Sequence, residues 1–545
     1  MLDMDMSRHF IYDYFCLSQY DISNWHDRFF WPVSRDTTTQ ITLDLVAEQC
    51  RLVDQLGHSF EGDCLLIGNA LSKTFIQVVN HYLSIYRIKE RGYELIHSDK
   101  LKLIPILNVN KKNRRIEFRD VLQERSKHPS LNILIKLIRS FEINLKRGNS
   151  SFFDHFNGEK CIYAFSNPNV IDRTYIRSLK RWIHITSPDE WIKADLGEPV
   201  HPLVEKRLAD VAWMYIDFCK SYLLEQFGVL MPHDIVGIMI DFATRYITHI
   251  ARVYMGLKKR VQKVKPNHVL TPTAGNSFTR ALSLAVRNEG GTVTSFPHGY
   301  DICRYSSPRP AFHEFATIDE FIAYTPGSVP LFERNLKLNP PPRNNEVLIK
   351  HENTDIFLNR WRKWKNKPLA SRIETVMVLE ISMIPEWAGY HVAEAMVNYH
   401  FYYSLCETLS ENGYKVIFKR RPKDLSWEGI NIFKDLKNVE ILYNHFEEPG
   451  TAELADAFII QYGGSSTFYW TMCTNKKLIY VDAGWEPWFP DVYELMKKRC
   501  RILHCWYDDR NRTCFDTEEL LSLVQVPPEE PNIEFLEKFL FPKEQ

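Results

Sequence analysis

The sequence predicts an α/β protein with two Rossmann-like domains facing a central cleft and helical insertions in the N-terminal domain. Three observations predict it. Short apolar runs alternate with helix-length stretches in both halves of the chain, the pattern of βα units around a buried parallel sheet. A polar segment with three consecutive prolines, 337-KLNPPPRNNEVLIKHENTD-355, interrupts that pattern and reads as an interdomain linker. The chain also has 545 residues, 45% apolar and 25% charged, enough for more than one core of ordinary soluble type. The expected division is 1–336, a linker over 337–370, and 371–545.

In the N-terminal half the strand candidates are 63–70, 160–167, 183–187, 267–275, 292–299 and 318–324. Helices are expected over 72–92, 202–228, 233–264 and 276–290, the last capped by Asn276 or Ser277. In the C-terminal half the apolar runs are 375–382, 414–420, 438–444, 457–463, 477–484 and 501–507. Helical stretches at 391–413, 450–456, 465–475 and 491–500 separate them, and Gly413 reads as a helix C-cap.

Composition excludes several function classes. Lys and Arg total 68 and so do Asp and Glu, a balance that argues against a general nucleic-acid binder. Eleven cysteines without CxxC spacing read as free thiols of a reducing, cytoplasmic compartment. The acidic start MLDMDMSRHF has no signal-peptide pattern. No apolar run approaches the ~20 residues that span a bilayer. Membrane contact is therefore expected to be peripheral at most, with basic 257-LKKRVQKVK-265 as a candidate against the alternative of a solvated helix face.

In open α/β sheets ligands bind beyond the carboxyl ends of strands, so the loops there carry the candidates. In 461-QYGGSSTFYW-470, Gly463 and Gly464 permit close backbone approach, while Ser465, Ser466 and Thr467 offer hydroxyls and N–H groups at a helix start. This is an anion cradle or a tight turn with a serine cap. GxGxxG and GxxxxGK[ST] spacings are absent, which disfavours a dinucleotide or P-loop ligand. The strand ending in Lys419, Arg420, Arg421, Pro422 and Lys423 places cations where a phosphate would sit. The loop 295–327 contains His298, Asp301, His313 and Glu314, candidate bases for an acceptor hydroxyl. The loop 482-DAGWEPWFPD-491 adds Trp485 and Trp488 for stacking and Glu486 for ribose hydroxyls. Two further stretches, Glu447-Glu448-Pro449-Gly450 and Glu386-Trp387-Ala388-Gly389, also end strands without an assigned role, and basic 359-NRWRKWKNKP-368 follows the proline segment.

The order Pro297-His298-Gly299, then Arg420-Arg421-Pro422, then Gly464-Ser465-Ser466 resembles GT-B glycosyltransferases of bacterial surface-polysaccharide synthesis, over about residues 60–525. It is most similar to the groups using CMP-activated acidic sugars, the Kdo and sialic-acid transferases. Arg421 stands where those groups have histidine before the proline. The resemblance implies a metal-independent transferase without a resident cofactor. It would move a sugar from a nucleotide donor, CMP-linked, to a glycan or lipid-linked glycan at the cytoplasmic face of the inner membrane. It further implies His298, Asp301 or Glu314 as catalytic groups. Lys419, Arg420, Arg421, Pro422, Gly463, Gly464, Ser465, Ser466, Thr467 and Glu486 would hold the nucleotide. A CDP-glycerol-type transferase, a nucleotide-sugar epimerase and a non-catalytic scaffold are the alternatives.

Overall fold

The computed structural model describes residues 161–163, 175, 183–185, 202–227, 233–271, 277–297, 299–305, 315, 317–338, 346–352, 354–380, 395–420, 433–484, 488–507 and 513–542. The strand and helix expected over 63–92 lie outside them.

The first sheet comprises β1 (Cys161–Tyr163), β2 (Ile183–Ile185), β3 (His268–Thr271), β4 (Thr292–Ser295), β5 (Glu320–Ala323) and β6 (Leu348–His351). Its order is β2-β1-β3-β4-β5-β6 and every pairing is parallel. Between β2 and β3 stand two long helices, α1 (Pro202–Phe227) and α2 (His233–Val264). Leu257 and Val261 of α2 are buried while Lys259 and Lys263 are exposed, so the basic stretch there packs on its apolar side. Helix α3 (Ser277–Asn288) follows β3 and α4 (Val329–Leu338) follows β5. No helix among the described residues is long and apolar enough to cross a membrane.

The expected linker contains structure. Strand β6 pairs with β5 as the edge of the first sheet, and α5 (Ile356–Trp364) follows it. The strand escapes sequence reading because its residues Leu348, Ile349, Lys350 and His351 are all at least partly exposed, as an edge strand allows. The passage between sheets therefore narrows to 365–374.

The second sheet comprises β7 (Thr375–Leu379), β8 (Lys415–Arg420), β9 (Val439–Tyr443), β10 (Ala457–Ile460), β11 (Lys477–Asp482), β12 (Arg501–Tyr507) and β13 (Thr513–Phe515). Its order is β13-β12-β11-β10-β7-β8-β9, parallel except for β13. Without β13 this is the doubly wound 3-2-1-4-5-6 order of dinucleotide-binding sheets. All six apolar runs match strands, and β7, β8, β10 and β11 are buried on both faces, as for Val376–Leu379 and Ala457–Ile460. The two faces alternate strictly. Val376, Val378, Val416, Phe418, Ile459 and Val481 pack on the face that holds α6 (Ala395–Glu411). Met377, Leu379, Ile417, Phe458, Ile460 and Tyr480 enter a core that continues into the first domain through Phe296, Phe321 and Phe357. The described chain thus forms two Rossmann-like domains sharing one apolar cluster.

Candidate functional site at the sheet reversal

Strand order reverses between β7 and β10, whose neighbours run off in opposite directions. The crevice beyond such a reversal is where open α/β sheets bind ligands. Residues 461–465 leave β10 into this crevice, and α7 (Ser466–Met472) follows. The Gly-Gly-Ser-Ser stretch thus occupies the reversal itself, which the order of motifs in the chain did not reveal.

Gln461 opens the turn. Its side chain is 2% exposed, and neither amide atom has a hydrogen-bond partner among the described residues. A buried polar atom left this way costs about 1–3 kcal/mol, so the crevice holds two unsatisfied groups at its base. Gly464 is required by packing: a Cβ there would run into the Tyr462 ring and lie 2.8 Å from the Arg304 Nη2. Ser465 is the helix N-cap. Its Oγ accepts from Phe468 N at 3.1 Å and donates to Tyr462 O at 3.2 Å. That hydroxyl is occupied within the turn. Ser466 and Thr467 are half-buried beyond it.

The first domain reaches this turn. Gly299 has φ +68, and its missing Cβ would stand 3.0 Å from Ser466 Oγ. The two motifs, 167 positions apart in sequence, therefore touch. Cys303 also takes positive φ, at 57, which turns the following Arg304 into the interface. The Arg304 guanidinium is fully buried and donates to Asp301 Oδ1 at 3.2 Å and to Tyr469 Oη at 3.5 Å. It lies 4.6 Å from the Tyr305 ring centroid and 5.2 Å from that of Trp488, with Tyr462 beyond. A backbone bridge between Tyr305 and Trp488 closes this side. Burial pushes the Cys303 thiol well above its ordinary range, Asp301 adds to that and Arg304 opposes it, so the thiol is inert there.

The remaining sequence candidates divide. Asp301 lies at the domain contact, with Oδ1 accepting from Cys303 N at 3.0 Å as well as from Arg304. Lys419 is buried and donates to Arg420 O at 2.8 Å. Arg420 Nε reaches both Glu380 oxygens at 3.3 Å, with 3% and 0% side-chain exposure for the pair. Both cations thus have protein partners inside the domain. Gly463 is buried within the turn. Trp488 donates to Tyr480 Oη at 3.4 Å and packs edge-on to Phe468. His298, Glu314, Arg421, Pro422, Trp485 and Glu486 lie outside the described residues. Among the described residues no group of three or more His, Cys, Asp or Glu is placed to hold a metal. Arg304 is the residue the sequence reading missed. Its signal in the sequence is an arginine after a strand end in the otherwise apolar ICRY stretch, beside the titratable groups of the same loop.

No protein-family model matches the chain, and no curated protein matches it. Among solved structures it is similar to a UDP-N-acetylglucosamine 2-epimerase from Rickettsia bellii, at 12% identity and TM-score 0.34 over 68% of this chain and 88% of that one. It is also similar to S. aureus MnaA in its co-structure with UDP, at 10% identity and TM-score 0.37 over 70% and 93%. The two-domain architecture rests on the strand order of the two sheets, not on these likenesses.

Proposed function

We propose that the chain is a nucleotide-sugar enzyme of GT-B type, a glycosyltransferase acting on a glycan or lipid-linked glycan. The observation that supports it is the meeting of the two domains at the sheet reversal, with the unsatisfied amide of Gln461 at its base. In this reading the donor's phosphate lies over 463–467. Backbone N–H groups of the turn and the Ser466 hydroxyl face the charge that develops on the leaving phosphate. Arg304 supplies positive charge from the other domain, held in place by Asp301. The acceptor hydroxyl approaches from the first domain, where His298 takes its proton. Enclosure between the domains excludes water and limits hydrolysis. The resemblance of the motifs favours a CMP-linked acidic sugar such as Kdo or a sialic-acid-like sugar as donor.

Thermal shift with CMP, CDP, UDP and GDP tests the site. One of these is expected to stabilise the chain, and Gln461→Met is expected to abolish that shift. The same variant raises the melting temperature of the free protein, because it removes an orphaned amide worth about 1–3 kcal/mol. Binding that survives Gln461→Met and Ser466→Ala alike would sink the site. Isomerised sugar formed without acceptor would replace the transferase by an epimerase.

A further inference from the structure

A cavity of about 680 Å³ lies between α5 on one side and residues 447–453 on the other, with Trp470 of α7 in its wall. Its size is that of small-molecule sites, about 300–1,000 Å³. The two stretches that the sequence marks without assigning a role, the basic 359–368 segment and Glu447-Glu448-Pro449-Gly450, converge here. We propose that this cavity binds a sugar carrying an oxyanion, at a site separate from the crevice at the sheet reversal.

Arg360 carries the argument. Its Nε donates to Trp470 O at 3.1 Å, and the guanidinium lies 4.7 Å from the Trp470 ring centroid and 5.3 Å from that of Phe446. Its Nη2 is buried without a hydrogen-bond partner, and no carboxylate forms an ion pair with it among the described residues. Burial lowers its pKa, and Cys473, then Glu447, Glu453 and Tyr300, oppose that only in part. Trp470 is 8% exposed, and its Nε1 also has no partner among the described residues. A largely buried cation with no carboxylate in direct contact among the described residues and a neighbouring buried N–H both call for an acceptor that carries negative charge.

The opposite wall supplies the complement for hydroxyls. Glu448 is engaged by His445 N at 2.9 Å and Glu453 by Lys367 at 2.7 Å, so Glu447 on this wall, with Asp355 and Asn359 on the α5 side, is left to accept from ligand hydroxyls. Lys363, one turn from Arg360, adds positive charge at the rim. The cavity is distinct from the crevice at the reversal because none of Gly299, Arg304 and residues 461–467 lines it. A ligand here would tie α5, which leads from one sheet to the other, to the β9–β10 connection.

Calorimetric titration of the full chain with glucose 1-phosphate, glucuronate, inorganic phosphate and glucose tests this. Saturable binding of glucose 1-phosphate or glucuronate is expected, and whichever binds more tightly identifies phosphate or carboxylate as the oxyanion. Glucose should not bind. Arg360→Gln and Trp470→Phe should each weaken binding by about tenfold or more. Trp470→Phe keeps the ring and the backbone carbonyl, so it reads the lost donor even if the arginine variant folds poorly. A nucleotide shift at the crevice should persist in Trp470→Phe. No saturable binding of either oxyanion sugar, or binding unchanged in both variants, overturns the proposal.

Discussion

At the scale of single residues, a cation's position in the chain says less than its partner. Arg420 ends a strand beside the reversal, where a phosphate contact was expected, yet its guanidinium is paired with Glu380 in a site almost closed to solvent. Removing one member of such a pair leaves a buried charge uncompensated, a loss of about 3–5 kcal/mol. Arg420→Met is therefore expected to lower the unfolding free energy measured by urea denaturation by that amount. Wild-type stability combined with lost nucleotide binding would return Arg420 to the ligand site. Arg304 is the converse case. Its loop stands out in the sequence by its place after a strand, but its reach across the domain contact depends on the backbone at Cys303, with φ 57. No local sequence pattern specifies that turn. Ser466 and Gly299 were legible one by one as motif members, and their contact was not.

At the scale of elements, legibility follows burial. Strands β7, β8, β10 and β11 are covered on both faces and appear as uninterrupted apolar runs. The Gly413 C-cap is present with φ 84. Edge strands β6 and β13 lack that covering and went unread, whereas edge strand β9, also partly exposed, was read. Helix α7 is a harder case, since seven residues are too few for a helix to be stable by its own propensity. It holds through burial of Phe468, Tyr469 and Trp470 and through the Ser465 cap. Ser465→Ala should cost about 1 kcal/mol, the usual loss of such a cap. Ser466→Ala, past the cap, should change stability by no more than about 0.5 kcal/mol. Chemical denaturation of the two single variants separates the helix from the ligand contact. Equal losses in both would mean that Ser465 is not the cap.

At the scale of the whole molecule, the chain joins its domains twice. After the passage at 365–374 it returns at the C-terminus, where a helix over Glu534–Phe539 packs against the first domain. Thr325 Oγ1 donates to Phe539 O at 2.5 Å, and Gly327 lies so close to the Lys538 carbonyl that a Cβ has no room. Nothing in 534-EFLEKF-539 marks it as belonging to the opposite domain, since amphipathic pattern gives a buried face but not its neighbour. This return contact bears on the crevice. Arg334, on α4, donates to Asp491 at 2.6 Å, and Asn335 holds Tyr305 O at 3.1 Å, next to Arg304. The C-terminal helix, α4 and the 299–305 segment thus form one contiguous support. Gly327→Ala should push the C-terminal helix away and destabilise the chain by about 1–3 kcal/mol, as overpacking does. Limited proteolysis should then cut within 526–542 earlier than in the wild type, and any nucleotide shift should weaken although the substitution lies outside the crevice. Unaltered protection of 526–542 would show that the carbonyl yields without release, and that the two domains are held together by the passage at 365–374 and their shared core alone.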